Sequence, residues 1–179
     1  MTRVGYAPGC FDLFHIGHLN LLRRAKGECD FLIAGVVSDE ILTTHKGITP
    51  VVPLAERLEI VRNVRYVDAA FPAMTADKLE IWRTLRFDVL LKGDDWRGTP
   101  KGEQLERDFK AVGVEVVYFP YTTSTSSTAL RAKLRAVESP AGNGLRTMRT
   151  ADCSSAAAVW DNMVSGSSRS ISPVWPMGD

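Results

Sequence analysis

The chain of 179 residues is long enough for one globular domain with a real core, and its net charge of +1 gives no reason to expect nucleic acid or an anionic membrane as its main partner. No apolar run reaches the ~18 residues of a membrane span, and the first residues lack the apolar core of a signal peptide. Three widely spaced cysteines (Cys10, Cys29 and Cys153) argue against a disulfide framework or a metal knuckle. We therefore expect a cytoplasmic protein.

Apolar runs of strand length alternate with helical patterns over most of the chain. The predicted strands are Val4–Ala7, Phe31–Val37, Tyr66–Ala70, Asp88–Lys92 and Val114–Phe119, and the predicted helices lie near Ile16–Gly27, Leu54–Asn63, Asp77–Leu85, Glu103–Val112 and Ser127–Val137. Short, wholly apolar strands separated by helices indicate an α/β fold, a Rossmann-like doubly wound parallel sheet of about five strands with helices on both faces. Residues 138–179 are rich in serine and glycine without a sustained hydrophobic period, so we expect a domain over 1–137 followed by a disordered tail.

The most informative segment joins the first predicted strand to the first predicted helix. It reads Gly9-Cys-Phe-Asp-Leu-Phe-His15-Ile-Gly-His18. Two histidines three residues apart lie on one side of the helix start, where free N–H groups and the helix dipole favour an anion. His15 and His18 are candidate catalytic residues, and the candidate nucleotide ligands beside them are Gly9, Cys10, Phe11, Asp12 and Gly17.

Simpler interpretations of this segment stay open. The histidines could merely cap the helix, with Gly9 serving a tight turn. A two-histidine zinc site is disfavoured, because zinc takes three or four protein ligands and no third one stands at a usual spacing. Cys10 could be a nucleophile, but a small side chain that allows close backbone approach is the simpler interpretation.

Two further loops are expected at the same edge of the sheet, because the carboxyl ends of parallel strands meet there. The first contains Gly93, Asp94, Asp95 and Trp96, whose carboxylates could accept hydrogen bonds from a base or ribose, although an acidic surface turn is the alternative. The second is rich in hydroxyls at a helix start, which suits phosphate binding but also plain N-capping. Its candidate nucleotide ligands are Thr122, Ser126, Ser127 and Thr128.

These motifs, in this order, resemble the HxGH nucleotidyltransferase superfamily and its cytidylyltransferases, most of all the glycerol-3-phosphate cytidylyltransferases. Lys46 resembles the family's mobile lysine, which engages substrate phosphates and so counts as catalytic and acceptor-binding. Arg57 and Arg65 fall in elements similar to those that form the acceptor pocket. Tyr121 stands where the family has an arginine that clamps phosphate, which leaves the choice between CTP and ATP open. Arg131 or Arg135 could compensate.

The resemblance implies transfer of CMP from CTP to a small phosphomonoester, first of all glycerol 3-phosphate, with release of pyrophosphate. It also implies Mg²⁺ carried by the triphosphate rather than by a protein ligand set, small-molecule partners, and a homodimer. Cys10 and the stretch around Lys46 are more similar to the ethanolamine-phosphate enzymes, so the acceptor stays open. An adenylyltransferase using ATP with another phosphorylated acceptor, or a catalytically inactive nucleotide-binding module, are the alternatives.

Overall fold

The computed structural model describes residues 1–120, 122 and 125–138. Its strands are β1 Val4–Gly9, β2 Phe31–Val37, β3 Ala69–Ala73, β4 Val89–Gly93 and β5 Glu115–Phe119. Its helices are α1 Ile16–Gly27, α2 Asp39–Lys46, α3 Leu54–Arg62, α4 Lys78–Leu85, α5 Pro100–Ala111 and α6 Ser127–Glu138, and a single 3-10 turn, Asp94–Trp96, follows β4. The tail predicted for 138–179 lies, apart from its first residue, outside the described residues.

The five strands form one parallel sheet in the order β3-β2-β1-β4-β5. This order confirms the predicted doubly wound α/β fold. The chain runs outward from β1 to β2 and β3, then returns to the centre and continues through β4 and β5. The direction therefore reverses between β1 and β4, and in such sheets ligands bind in the crevice outside the carboxyl ends of those two strands.

Helices cover both faces of the sheet because the central strands are apolar on both sides. Consecutive residues of a strand point to opposite faces, and in β1 Ala7 belongs to one core and Tyr6 to the other. The first core contains Leu22 of α1, and the second contains Ile81 of α4 and Phe109 of α5. Within the part of the chain that is described, no helix combines the length and the hydropathy that a membrane crossing requires.

Helix α2 was not predicted from the sequence. Its eight residues include two threonines, and its only buried residue is Leu42, so it lacks the apolar stripe of a longer helix. Capping defines it instead: the Ser38 hydroxyl accepts a hydrogen bond from the Ile41 amide at 3.3 Å, and Gly47 ends the helix with a φ of 60°.

Three predicted boundaries were wrong by about three residues, and one of them is the end of β3, which lies at Ala73 rather than Ala70. Strand β3 begins at Ala69 rather than Tyr66, because the preceding residues form a turn in which the Val67 amide donates to the carbonyl of Val64 at 2.8 Å. Helix α5 begins at Pro100 rather than Glu103, since the Thr99 hydroxyl caps it. Apolar side chains in the turn and a glycine in the first helical turn obscured these limits.

Candidate functional site

The loop after β1 is held in one conformation by its aromatic side chains. Phe11 and Leu13 have positive φ angles of 52° and 49°, a region that costs a non-glycine residue about 1–2 kcal/mol. Burial of the Phe11 ring, which is 1 % exposed, offsets this cost. Gly9 fits beneath the ring, because a Cβ there would lie 2.8 Å from it. The buried Phe11 ring therefore anchors the loop where it leads into α1.

His15 is the N-cap of α1 and is oriented by hydrogen bonds on both ring nitrogens. Its Nδ1 accepts from the Gly17 amide at 3.0 Å, and only glycine fits there, since a Cβ would lie 2.8 Å from the imidazole. Its Nε2 lies 3.2 Å from the Ser127 hydroxyl, which donates to the carbonyl of Asp12 at 2.8 Å. Because Nδ1 accepts, Nε2 carries the proton and donates towards the start of α6.

His18 stacks on His15, with ring centroids 4.0 Å apart, and also contacts the rings of Phe11 and Phe14. Burial lowers the pKa of His18 to about 3, with further lowering from His15 and Arg131. Burial also lowers the pKa of His15. Both imidazoles are therefore neutral in the free protein at neutral pH. The buried Nδ1 of His18 has no hydrogen-bond partner in the part of the chain that the structure describes, so a bound group could satisfy it.

A cavity of about 150 Å³, here called the histidine cavity, lies between the starts of α1 and α6. It is lined by His15, Gly17, His18, Leu21, Gly93, Phe119, Pro120, Thr122, Thr125, Ser127 and Thr128. Seven predicted site residues thus meet there, from all three motifs of the sequence. Ser126 is not among them, because its hydroxyl caps α6 by accepting from the Ala129 amide at 3.1 Å.

Asp12 has a structural rather than a ligand-facing position. Its carboxylate is fully buried and accepts hydrogen bonds from the amides of Val51 and Val52 and from the guanidinium of Arg131 at 2.7 Å. Burial raises the pKa of Asp12, but these donors outweigh it and the net pKa is lowered. The structure therefore does not support direct nucleotide contact by Asp12, and Arg131 is committed to this carboxylate.

Arg57 does not occupy the acceptor-binding position predicted for it. Its side chain is 0 % exposed and donates to the backbone carbonyls of Cys10, Val37 and Val52. It also forms an ion pair with Asp39 at 2.5 Å. A single buried guanidinium thus joins the loop after β1, the end of β2 and the starts of α2 and α3. Arg57 is therefore a structural residue that holds these segments together.

The two other basic residues predicted for the site, Arg65 and Lys46, lie in different parts of the structure. Arg65 is exposed beside the ring of Tyr66, 5.2 Å from its centroid, and lines neither of the two cavities at the carboxyl edge of the sheet. The structure therefore gives no support to its predicted acceptor contact. Lys46 lies in the last turn of α2 and lines the second cavity.

The second cavity, here called the lysine cavity, has a volume of about 360 Å³ and lies on the α4 and α5 side of the sheet. It is lined by Tyr6, Pro8, Gly9, Val37, Ile41, His45, Lys46, Ala73, Thr75, Ala76, Lys78, Ile81, Lys92, Trp96 and Lys101. Trp96 therefore belongs to this cavity and not to the histidine cavity. Asp94 lines neither, and Asp95 lines a neighbouring depression.

Sequence reasoning missed Tyr6, Lys92 and Lys101 as residues of this edge. The available signal was a lysine at the penultimate position of an otherwise apolar central strand, since Lys92 follows the buried residues Leu90 and Leu91. Burial, with the charges of Lys78 and Lys46, lowers the pKa of Lys92 to about 8. Such a shift marks a candidate functional residue.

Comparison with known families shows the family to which this fold belongs. A family model for cytidylyltransferase-like proteins matches residues 6–133. The chain belongs to the cytidylyltransferase-like family. The superfamily predicted from the signature segment is thereby confirmed.

Two relatives illustrate the range of this cytidylyltransferase-like family. The chain is 40% identical over 102 residues to ethanolamine-phosphate cytidylyltransferase of Arabidopsis thaliana, covering 54% of the chain but only 24% of the relative. It is 35% identical over 116 residues to FAD synthase of Pyrococcus horikoshii, covering 63% of the chain and 77% of the relative. The chain thus spans about a quarter of the plant relative and most of the archaeal one.

A solved structure shows the same fold. The lipopolysaccharide core biosynthesis protein from Thermoplasma volcanium matches with a TM-score of 0.59 and 22% identity, covering 70% of this chain and all of that one (100%). At this level of identity the match supports the architecture of this cytidylyltransferase-like domain and nothing more specific.

Proposed function

We propose that this protein transfers a nucleoside monophosphate, CMP, from CTP to a small phosphomonoester and releases pyrophosphate. The observation that carries the proposal is the pair of stacked, neutral imidazoles, His15 and His18, at the start of α1 and at the switch point of the sheet. They share their cavity with the hydroxyls of Ser127 and Thr128 at the start of α6. Two helix starts and four polar side chains suit a polyphosphate.

The reaction needs positioning more than acid–base chemistry. An oxygen of the acceptor phosphate attacks the α-phosphorus in line, and the bond from that phosphorus to the bridging oxygen of the β-phosphate breaks as pyrophosphate leaves. A phosphomonoester is already an anion at neutral pH, so no strong general base is required. His18 donates an N–H hydrogen bond to the phosphate oxygens as negative charge shifts to the leaving group, and the Nε2–H of His15 does the same by exchanging the Ser127 hydroxyl for a phosphate oxygen.

Protonation of the histidine pair is coupled to this binding. Burial keeps His18 neutral in the free protein, but a phosphate beside it stabilises the charged form and raises its pKa. The partnerless Nδ1 of His18 then gains an acceptor. The same ring is thus apolar enough to pack against Phe11 and polar enough to bind the triphosphate.

Mg²⁺ is proposed to arrive with the triphosphate. Among the described residues no group of three or more His, Cys, Asp or Glu side chains is placed to hold a metal ion. Mg²⁺ is usually bound through substrate phosphate oxygens and water with one or two carboxylates rather than by a dedicated protein cage. Bound there, the ion would neutralise part of the phosphate charge.

CTP is proposed as the donor because of the cytidylyltransferase-like family and the similarity to ethanolamine-phosphate cytidylyltransferase. ATP is the second candidate, since FAD contains an adenine nucleotide and FAD synthase matches over 77% of its length. Glycerol 3-phosphate is proposed as the first acceptor to test, on the order of the motifs around His15, Gly93 and Ser127.

The test is turnover of CTP or ATP with Mg²⁺ and a panel of phosphomonoesters, followed by pyrophosphate release. We expect pyrophosphate only when both CTP and an acceptor are present. A preference for ATP would select the second candidate, and no acceptor-dependent pyrophosphate from either nucleotide would leave only a nucleotide-binding module. The homodimer stays a prediction, to be checked by analytical ultracentrifugation.

A further inference from the structure

We infer that the lysine cavity is the acceptor site and that it selects hydroxylated phosphomonoesters, polyol or sugar phosphates, against amino-alcohol phosphates such as ethanolamine phosphate. This inference rests on the proposed function and names its acceptor class. It differs from what the similarity to ethanolamine-phosphate cytidylyltransferase would imply for this chain.

The position of the cavity suits an acceptor. Strands β1 and β4 pair directly, and their carboxyl ends separate the two cavities. Gly9 at the end of β1 lines the lysine cavity, and Gly93 at the end of β4 lines the histidine cavity. Both cavities therefore open at the same carboxyl edge of the sheet. A phosphate in the lysine cavity can therefore approach a nucleotide bound beside His15 and His18.

The charge of the cavity favours anions and opposes cations. Four lysines line it, Lys46, Lys78, Lys92 and Lys101, and no aspartate or glutamate is among its lining residues, all of which belong to the described part of the chain. Burial and the charge of Lys46 lower the pKa of Lys78; the nearby carboxylates of Asp77 and Asp95, which do not line the cavity, oppose such lowering at Lys78 and Lys92 but do not outweigh it. A phosphate would relieve the repulsion among the ammonium groups, whereas the ammonium of an amino-alcohol phosphate would add to it.

The one indole of the cavity is already engaged by cations. The Nζ atoms of Lys92 and Lys78 lie 3.8 Å and 4.8 Å from the centroid of the Trp96 ring. A choline or ethanolamine head group is commonly bound against an aromatic face. Here the two lysines compete for that surface, so Trp96 serves to hold ammonium groups of the protein in place rather than to bind one from a ligand.

A buried hydroxyl gives the cavity a neutral polar group. Tyr6 is 0 % exposed, stacks on Phe87 at 4.9 Å and lines the cavity, yet its hydroxyl has no hydrogen-bond partner among the described residues. Gly35 makes room for it, because a Cβ there would lie 2.1 Å from Oη. An unpaired buried hydroxyl is costly, and an acceptor hydroxyl reaching it would satisfy both groups.

The experiment compares kcat/KM of the full chain, with CTP or ATP and Mg²⁺, for glycerol 3-phosphate, glucose 1-phosphate, ethanolamine phosphate and choline phosphate. We expect the best hydroxylated acceptor to exceed both amino-alcohol phosphates by about tenfold or more, the order expected of one charged contact. Ethanolamine phosphate or choline phosphate as the best acceptor would overturn the inference while leaving nucleotidyl transfer intact. Absence of pyrophosphate with every acceptor would overturn the proposed function itself.

Substitutions of cavity residues test which side chains determine the acceptor preference. Lys92→Met should raise the KM for the hydroxylated acceptor about tenfold and narrow the discrimination against ethanolamine phosphate. Tyr6→Phe should raise the KM for the hydroxylated acceptor about threefold. In both variants the KM for CTP should stay within about twofold of wild type. Lys92→Arg should keep the discrimination. The matched controls are Lys110→Met, on the exposed face of α5, and Tyr118→Phe, whose hydroxyl lies in neither cavity.

If Lys92→Met fails to fold, Tyr6→Phe and Lys92→Arg still decide the matter. The inference is wrong if Tyr6→Phe raises the KM for CTP and leaves the acceptor KM unchanged, or if Lys92→Arg loses the discrimination among acceptors. Thermal unfolding of each variant reports whether a change in KM reflects the site or the fold.

Discussion

The guanidinium of Arg131 lies 2.7 Å from the carboxylate of Asp12, a residue 119 positions earlier in the chain. The same carboxylate accepts from the amides of Val51 and Val52, so one buried anion joins the loop after β1, the segment before α3 and helix α6. His15 and Ser127 lie on either side of this junction and are hydrogen-bonded to each other. The geometry of the histidine cavity therefore depends on an ion pair outside it.

Breaking this pair should loosen the site before it unfolds the protein. Because Asp12 is fully buried, Arg131→Met or Asp12→Asn should each lower the free energy of unfolding by about 3–5 kcal/mol. The double variant should lose less than the sum, with a coupling energy of about 1–3 kcal/mol. Urea unfolding of the four proteins measures this cycle, and additive losses would show that the two residues act independently.

The histidines carry the chemistry in the proposed mechanism. His15→Ala and His18→Ala should each lower kcat by about 10²–10³, the usual loss when one preorganised donor to a developing charge is removed. His18→Asn, which leaves a smaller void beside Phe11, should show a similar loss. Arg62→Ala on the exposed side of α3 is the control and should keep full activity. Near-normal turnover in both histidine variants, with folding intact, would remove the mechanism.

Arg57 should behave as a scaffold residue. Its buried guanidinium serves three backbone carbonyls and Asp39, so Arg57→Met should cost about 3–5 kcal/mol of unfolding free energy, and Arg57→Lys should also destabilise because an ammonium cannot reproduce the planar fork. Arg62→Met on the same helix should change stability little. A selective rise in acceptor KM at unchanged stability would restore the acceptor role predicted from the sequence.

The free energy of unfolding should decrease at acid pH because of the histidine pair. The pKa of His18 is about 3 in the folded protein against its ordinary 6.5, so between these values the unfolded chain binds more protons. The free energy of unfolding should therefore be fully retained above pH 6.5 and decrease as the pH falls below it. His15 acts in the same direction. Urea unfolding at pH 7 and pH 5 checks this, and His18→Asn should flatten the dependence; an unchanged slope would contradict the burial of a neutral imidazole.

The kcat/KM for the acceptor should decrease at alkaline pH. With a pKa of about 8, Lys92 loses its charge as the pH rises above 8, so kcat/KM for the acceptor should fall between pH 7.5 and 9. Lys92→Arg should remove much of this fall, because arginine keeps its charge. A profile that is identical in wild type and Lys92→Arg would show that another group sets the dependence.

Sequence reasoning succeeded where the information is local. The loop from Gly9 to His18 and the helix predicted near Asp77–Leu85 depend on residues a few positions apart, and the structure has both: α4 spans Lys78–Leu85, and the Asp77 carboxylate before it accepts from the Leu79 amide at 2.8 Å. The order of apolar strands likewise indicated the parallel sheet. These features need only backbone chemistry and periodicity.

What the sequence did not reveal depends on distant partners. Arg57 reads as an ordinary basic helix residue until its carbonyl partners at Cys10 and Val37 are known. Lys46 of α2 and Lys92 of β4 both line the lysine cavity, and their spacing in the sequence does not predict that they lie close together. The motif around Trp96 did not show which cavity each of its side chains would line.

The most direct test of the central claim is a phosphorus NMR spectrum of the full chain incubated with CTP, Mg²⁺ and glycerol 3-phosphate. We predict that pyrophosphate and a new product with two coupled phosphorus signals appear together, only when the acceptor is present, and that His18→Ala suppresses both. Release of orthophosphate, or of pyrophosphate without the coupled product, would contradict nucleotidyl transfer by this site.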